Sequence, residues 1–486
     1  AGRARGDGTP EEQEGAEAKE EEKALTRVAP AAALAAMGAV MHLLAGYRVP
    51  RPWPDEAHFI TPALTLLHDG RLAVPELNAP EGIFWLPHGY YVLQAPLHAV
   101  GLDPLVAGRL LSLLGVVTFA VAVAAVAARA GLPRWLATTL AAAWLVTARV
   151  VAIGNIARMD AVVLGLAGLS MWLLIVGRRR LAVTAAAVAP LVHPVGLVVL
   201  VAVAGAAVLA HPRTPWRRAE VAVAVVVAVL WAAQVGYFLA NAGIAGDHLA
   251  FQLSRKAGRT ITVAWWQWLL LASAGVAGAA ATLRWRRATA EQAALWCALA
   301  LAGAFVLVDV VGREMWYQPL GRETAILLLG VVGLTVVRKR TGVAPVHVAA
   351  AAAAVVLAAV GLRPALTGTW YAMRLDPASR GEWTAFTRAA MAQLHELDRT
   401  TAAPLTVLVD PYSGLGQHLT AQRWQGLQFV QPTPATPAGD LAADYLLTTP
   451  GAPFSTRSLV AAWQGGAQTR VRSSRGTYEM ILLEAR

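Results

Sequence analysis

The stretch PLVAGRLLSLLGVVTFAVAVAAVAA at residues 104–128 decides the fold class. It contains one ionisable residue, Arg109, and is longer than the roughly 20 residues with which a helix crosses hydrocarbon. Similar runs of Ala, Val and Leu recur along most of the chain, and they do not alternate polar and apolar residues as barrel strands do. Because a helix satisfies its own backbone hydrogen bonds in lipid, we predict an all-α polytopic membrane protein.

The overall composition excludes an ordinary soluble protein. Of the 486 residues, 57% are hydrophobic and 15% are charged, and the mean hydropathy is +0.50. A soluble chain of this length needs more charge to cover its surface. The single cysteine, Cys297, lies in an apolar run, so neither a disulfide framework nor a thiolate metal cluster is expected.

The net charge of +11 follows the apolar runs rather than one continuous basic face. Short clusters lie between the runs: Arg178 to Arg180, Arg217 with Arg218, Arg284 with Arg286 and Arg287, and Arg338 to Arg340. Such clusters are typical of cytoplasmic loops, because positive residues resist translocation. Nucleic-acid binding would favour a continuous basic surface, so we predict no nucleic-acid partner.

Placing these clusters inside gives about eleven predicted spans, most of them close to the length that crosses a membrane. They cover residues 28–44, 104–128, 135–153, 161–176, 181–191, 195–210, 219–240, 266–283, 293–311, 324–337 and 343–361. Residues 1–27 are predicted to be a disordered acidic cytoplasmic tail. In the outer loop at residues 47–102, the segment 82–102 contains prolines and histidines and is predicted to be amphipathic or re-entrant.

Residues 362–486 are more polar and are predicted to form a small α/β domain outside the membrane. Short strands are expected at residues 405–409, 445–448 and 480–483. A helix is expected at residues 382–397, where apolar residues recur on one face.

Ionisable residues gather on the predicted outer side. The first outer loop contains WPDEAHF at residues 53–59, where Asp55, Glu56 and His58 could supply a general base and a metal ligand. The structural alternative is a solvated turn in which Asp55 caps the following helix. These residues alone leave both interpretations open.

Further ionisable residues lie on that predicted side. Asp160 opens a returning helix, where it could act as a cap, and the adjacent Arg158 could pair with it or hold a phosphate. His193 lies at the tip of the hairpin 181–210, and Arg109 lies within a span, where a charge is costly and faces the interior. Arg313 and Arg322 flank a short outer loop and suit a lipid-linked phosphate.

Together these motifs resemble the GT-C superfamily of polyprenyl-phosphate-dependent membrane glycosyltransferases, in the branch with protein mannosyltransferases and the aminoarabinose transferase of lipid A. The resemblance covers residues 28–361. It rests on Asp55-Glu56 with Phe59, WLPHGYY at 85–91, APL at 95–97, RLLS at 109–112, RMD at 158–160 and, more weakly, HP at 193–194.

The resemblance implies that Asp55 is the catalytic base, with Glu56 beside it, and that Arg158 and Asp160 help to bind the donor phosphate. The predicted catalytic residues are Asp55, Glu56 and Asp160. The predicted substrate-binding residues are His58, His88, Arg109, Arg158, His193, Arg313 and Arg322. Some members of the superfamily use a divalent metal and others do not, so metal dependence stays open.

The predicted function is therefore transfer of a sugar, with inversion, from a polyprenyl-phosphate donor to a hydroxyl of a glycan, lipid or protein on the outer face. The high Ala, Arg and Gly content suggests a bacterial chain, and the arginine clusters predict a cytoplasmic-membrane protein with its N-terminus inside and its C-terminal domain outside. Two alternatives stay open: a transporter or flippase for a lipid or sugar, and a non-catalytic GT-C-like subunit of a membrane complex.

Overall fold

The computed structural model describes most of the helical region and the core of the C-terminal region. The described residues are 30–40, 54–74, 82, 84, 86–210, 217–256, 262–284, 288–312, 317–341, 382–410, 415–430, 443–448, 467–475 and 478–485. The predicted tail at 1–27 and the predicted last span at 343–361 lie outside them.

The described part of the chain up to residue 341 is helical. Its helices are α1 (Pro30–Val40), α2 (Pro54–Asp69), α3 (Gly89–Ala99), α4 (Pro104–Arg129), α5 (Arg134–Leu145), α6 (Ala148–Gly154), α7 (Met159–Ile175), α8 (Arg179–Val192), α9 (Gly196–Leu209), α10 (Arg218–Ala240), α11 (Ala242–Lys256), α12 (Trp265–Arg284), α13 (Ala290–Gly312) and α14 (Ala325–Thr341). A π-helical turn, Pro319–Thr324, leads into α14.

Five helices in the described part are long and apolar enough to cross a membrane, which makes the chain a multi-pass membrane protein. They are Pro104–Arg129, Arg218–Ala240, Trp265–Leu283, Ala290–Gly312 and Pro319–Lys339. The shorter apolar helices Pro30–Val40, Met159–Ile175 and Gly196–Leu209 coincide with further predicted spans. The prediction of eleven spans is not confirmed.

One predicted span, at residues 135–153, is broken into α5 and α6. The interruption falls at Val146 and Thr147, where the Thr147 hydroxyl donates to the Trp144 carbonyl oxygen at 3.0 Å. A side-chain hydroxyl that bonds the backbone locally offers an alternative to continued helix. Because the stretch is apolar on both sides of the break, its hydropathy does not predict the interruption.

The predicted hairpin and the predicted re-entrant segment both correspond to observed elements. Helices α8 and α9 meet at His193 and Pro194, as the hairpin prediction required. Helix α3 has 11 residues, too few to cross a bilayer. It packs against α2 and the end of α8 instead.

The centre of the helical region is the contact between α4 and α7. A Cβ atom on Gly115 of α4 would collide with the carbonyl oxygen of Ala161, and one on Gly168 of α7 would lie 2.9 Å from the Cα of Phe119. Small residues therefore let the two backbones touch, as they do in membrane helix pairs generally. This contact places the start of α7 beside the start of α4.

Helices α10 and α12 lie at the edge of the helical region. Only 6% of the apolar window of α10 and 17% of that of α12 are buried, against 61% for both α4 and α13. Valine and leucine side chains cover the exposed surface of α10. In a membrane protein such faces contact lipid, because acyl chains are as apolar as these residues.

The C-terminal unit, defined as the described residues from 382 onward, contains helices and a five-stranded sheet. Helix α15 (Glu382–Thr400) is followed by β1 (Leu405–Val409), α16 (Gly416–Thr420), β2 (Leu427–Val430), β3 (Tyr445–Thr448), β4 (Ala467–Arg475) and β5 (Tyr478–Ala485). The order is β2-β1-β3-β5-β4, parallel between β1 and its neighbours and antiparallel at β5. The three predicted strands and the predicted helix are confirmed.

The C-terminal unit rests on α2 and the start of α4. Ala421, just after α16, packs against the buried cluster that contains Ile60 and Leu64 of α2. His418 Nδ1 lies 4.0 Å from the carboxylate of Asp103, which caps α4. Helix α2 is therefore held between the membrane helices and the C-terminal unit.

Asp398 joins α15 to the sheet. Its carboxylate accepts backbone N–H groups of Gln425 at 3.1 Å, Gly426 at 2.7 Å and Leu427 at 2.8 Å. Burial acts to raise the pKa of Asp398, but the three donors outweigh it and lower the pKa below its usual range. The ionised carboxylate thus fixes the start of β2.

Replacing Gly115 by Ala should destabilise the protein by about 1–3 kcal/mol, because the added methyl group forces α4 and α7 apart. Gly278→Ala in α12 is the matched control, since a Cβ there meets nothing within 4 Å. Thermal unfolding in detergent, followed by size-exclusion chromatography, measures both variants. Equal melting temperatures for the two would contradict the close packing.

Asp398→Asn should loosen the C-terminal unit at neutral pH. Since the folded pKa is depressed, the carboxylate stabilises above its unfolded value of about 3.9 and this contribution is lost as the pH falls toward the lowered pKa. The wild type should therefore become easier to cleave within the unit on acidification to about pH 3, and the variant should show less of that change. Proteolysis with thermolysin and pepsin measures this, with the exposed Glu396→Gln as control.

Candidate functional site

A buried ion pair between Glu56 and Arg109 lies at the centre of the predicted site. Arg109 donates from Nε to Glu56 Oε1 at 2.9 Å and from Nη2 to Oε2 at 2.8 Å. Both side chains are at most 1% exposed. Glu56 Oε1 also accepts the backbone N–H of Ala157 at 2.7 Å. Glu56 thus ties together α2, α4 and the segment before α7.

Ser112 holds that segment in place one helical turn beyond Arg109. Its hydroxyl accepts the backbone N–H of Arg158 at 3.0 Å and donates to the carbonyl oxygen of Arg158 at 2.9 Å. Arg158 itself has extended backbone and precedes the first residue of α7. The RLLS and RMD motifs therefore meet through backbone hydrogen bonds.

The Arg158 side chain is held by a carboxylate and an aromatic ring. Its Nε donates to Asp160 Oδ2 at 2.8 Å, and its guanidinium carbon lies 5.2 Å from the centre of the Phe59 ring. Asp160 is fully buried, and its Oδ1 lies 3.7 Å from His193 Nδ1. That contact becomes an ion pair only when His193 is protonated, and Nδ1 also accepts the Val195 N–H at 3.2 Å.

Asp55 is the accessible carboxylate of this group. It is half-buried in the first turn of α2, whereas the neighbouring Glu56 is fully buried. Among the described residues, the Asp55 side chain makes no ion pair or hydrogen bond. Phe59 lies four residues later, on the same helix face, so Asp55 lies on the side of α2 that carries the ring beneath Arg158. His58, also half-buried, is three residues from Asp55.

Three other predicted residues lie elsewhere. His88 contacts α10. Its backbone N–H donates to Gln234 Oε1 at 3.0 Å, and its ring packs edge-on against Tyr237, with ring centres 4.9 Å apart. Arg322 is exposed in the π-helical turn, 5.7 Å from the Trp266 ring. Arg313 lies outside the described residues.

Sequence analysis missed a second polar group near the π-helical turn. Arg149 pairs with Glu323 at 3.1 Å, and Asp309 of α13 accepts from Gln267 of α12 at 2.9 Å. The signal for Asp309 was a lone carboxylate inside an apolar run, which is costly without a partner. Tyr317 connects this region to His193, with ring centres 6.2 Å apart.

No group of three or more His, Cys, Asp and Glu side chains in the described ranges is placed to hold a metal ion. The side chains of this site can perform two chemical roles. Asp55 can accept a proton from a group at the edge of the site, and Arg158 can stabilise nearby negative charge.

The fold is similar to that of a solved membrane protein. ArnT from Cupriavidus metallidurans, in its structure bound to undecaprenyl phosphate, matches 94% of this chain and 98% of its own, with a TM-score of 0.54 and 14% sequence identity. The chain has the ArnT fold. The predicted resemblance is confirmed at the level of the fold alone. The apo structure of ArnT from the same organism covers 92% of this chain and 96% of its own, at 14% identity, with a TM-score of 0.49.

Sequence comparison alone finds no match to a family model and none to a curated protein. The likeness to the ArnT fold thus resides in the arrangement of helices and not in extended sequence similarity.

Glu56→Gln should lower the stability of the protein by about 3–5 kcal/mol, because it removes the carboxylate that pairs with the buried Arg109 guanidinium. Adding Arg109→Met should recover most of the loss, since it removes the buried charge while the introduced amide oxygen can still accept the Ala157 N–H. Thermal unfolding in detergent measures the single and double variants. A double variant less stable than Glu56→Gln would show that Arg109 is stabilised by something other than Glu56.

Proposed function

We propose that this chain is a membrane glycosyltransferase that moves a sugar from a polyprenyl-phosphate donor to an acceptor hydroxyl on the outer face of the membrane. The observation that carries the proposal is the ArnT fold over nearly the whole chain, in a neighbour whose structure is bound to undecaprenyl phosphate. The cluster around Asp55 and Arg158 supplies the two chemical functions that such a transfer needs.

Asp55 is the proposed general base. Its carboxylate takes the proton of the acceptor hydroxyl while the hydroxyl oxygen attacks the anomeric carbon of the sugar. The bond between that carbon and the phosphate oxygen breaks, and the electron pair leaves with the polyprenyl phosphate. Attack opposite to the leaving phosphate inverts the configuration. The partial exposure of Asp55 supports this role, because a base must reach a substrate.

Arg158 is the proposed group that stabilises the departing phosphate. Asp160 and Phe59 hold its guanidinium in place before substrate binds, and a preorganised cation of this kind needs little reorganisation during reaction. Asp160 is then a positioning residue rather than a second base. Glu56 and Arg109 neutralise each other and position α2, so we assign them the same supporting role.

The positions of the basic residues support the proposed side of the membrane for the site. Arg129 ends α4, whose start carries Arg109, and Arg134 follows at the start of α5. Arg179 begins α8, just after the end of α7, whose start carries Asp160. Positive residues beside spans favour the cytoplasmic side. We therefore propose that the site and the C-terminal unit face outward from a bacterial cytoplasmic membrane, with the N-terminus inside.

One observation favours a second candidate, a non-catalytic GT-C-like subunit of a membrane complex. Both buried arginines of the site already pair with carboxylates, Arg109 with Glu56 and Arg158 with Asp160. Buried, paired charges also occur where they only maintain a structure. The two candidates differ in whether Asp55 is needed for a covalent product.

Asp55→Asn should abolish sugar transfer while leaving the fold and lipid binding intact, because the amide cannot accept the hydroxyl proton. The measurement is release of undecaprenyl phosphate from a panel of undecaprenyl-phosphate sugars, with bacterial envelope extract as acceptor. Loss of general-base catalysis alone is expected to cost about 100- to 10,000-fold in rate.

The matched control is Asp247→Asn, which changes an exposed aspartate of α11 in the same way. It should transfer at the wild-type rate. If Asp55→Asn transfers as fast as this control, Asp55 is not the base. If the wild type releases no undecaprenyl phosphate from any donor yet assembles with partner proteins, the non-catalytic candidate is favoured.

A further inference from the structure

A cleft of about 810 Å³ lies where the end of α2 faces the C-terminal unit. On the α2 side it is lined by Thr65, His68, Asp69 and Arg71. On the other side it is lined by the region from α16 to β2, including Gln422, Arg423, Trp424, Gln428 and Phe429. The volume is that of a small-molecule binding site.

The cleft has a fixed aromatic surface. The Trp424 indole N–H donates to the Leu419 carbonyl oxygen at 2.8 Å. His395 stacks on the ring at 4.3 Å, and Phe429 meets it edge-on at 5.0 Å. These three contacts fix the orientation of the Trp424 ring. A ligand that packs on the ring surface lining the cleft therefore costs little conformational entropy of that side chain.

The polar side chains around that ring suit a hydroxylated ligand. Arg71 and Arg423 are exposed, and neither makes an ion pair with another described residue. Gln422 and Gln428 each supply an amide that both donates and accepts hydrogen bonds. An aromatic face bordered by such groups fits a sugar ring, and the two arginines add affinity for phosphate or carboxylate substituents on it.

The position of the cleft limits what part of a ligand it can hold. Asp55 and His68 lie at opposite ends of α2, which at 1.5 Å per residue places them about 20 Å apart. A single sugar in the cleft is therefore too far from Asp55 to react. An extended glycan chain can reach both places at once.

The geometry points to a remote acceptor subsite: the cleft binds internal sugars of an extended, anionic glycan whose terminal hydroxyl reaches Asp55. This inference rests on the proposed glycosyltransferase function and names the acceptor class. Binding energy from parts of a substrate distant from the reacting centre can be used to orient that centre. The C-terminal unit then selects polymeric acceptors over single sugars and protein side chains.

The test uses the full chain in detergent and an array of bacterial envelope oligosaccharides, graded in length and carrying or lacking phosphate and uronic acid groups. The wild type should bind long anionic members more tightly than short ones. The double variant Arg71→Ala/Arg423→Ala should lose affinity for the long members by about tenfold or more, the effect of removing charge-assisted hydrogen bonds.

The control double variant is Arg388→Ala/Arg399→Ala, which removes the same charge from exposed positions of α15 outside the cleft. It should bind as the wild type does. Equal affinities of the two double variants, absence of binding by the wild type, or affinity independent of glycan length would each overturn the subsite.

Failure of the proposed function is distinguishable on the same preparations. Release of undecaprenyl phosphate from donor sugars with a small acceptor reports the chemistry, and transfer to a long glycan reports the subsite. If the cleft variant transfers to both acceptors at wild-type rates, the subsite is wrong and the function stands. If the wild type transfers to neither but binds long glycans, the acceptor role of the cleft is overturned along with the proposed function.

Discussion

The ion pair between Glu56 and Arg109 is the constraint on which the candidate site and the helix ends around it depend. Neither charge is stable alone in a site without water, so α2 and α4 must approach until the guanidinium and carboxylate form both hydrogen bonds. Glu56 Oε1 also accepts the Ala157 N–H. This third contact fixes where α7 begins, and hence where Arg158 and Asp160 lie relative to Asp55.

The close contact of α4 and α7 lies beside the ion pair, which joins α4 to α2. Glycines remove the side chains that would separate the backbones, and Ser112 joins the helix starts through the backbone of Arg158. Helix α2 has little lipid-facing role in this arrangement, because membrane helices lie on one side of it and the C-terminal unit on the other. It connects the proposed reaction site at one end with the cleft at the other.

Much of the architecture could be predicted from the sequence, because the hydropathy of a helix is a property of a short continuous segment. The long run at 104–128, the hairpin around His193 and three strands of the C-terminal unit were predictable. The break at Val146 and Thr147 could not be predicted, because it depends on one hydroxyl within an apolar run. The partnership of Glu56 and Arg109 spans 53 residues, and its bidentate geometry depends on packing that no local pattern encodes. The cleft is lined by residues that lie far apart in the sequence, so the sequence alone could not predict its lining either.

The Glu56–Arg109 pair also has a consequence for biogenesis. A charged residue at the centre of a single inserting helix costs about 2.5–3.5 kcal/mol at the translocon, and the buried Arg109 near the start of α4 is paired with Glu56 of α2. Glu56 precedes α4 in the chain and is already translated when α4 inserts. The counter-ion is thus present before the charge that needs it, so the start of α4 can pair with α2 during synthesis instead of waiting for the later helices.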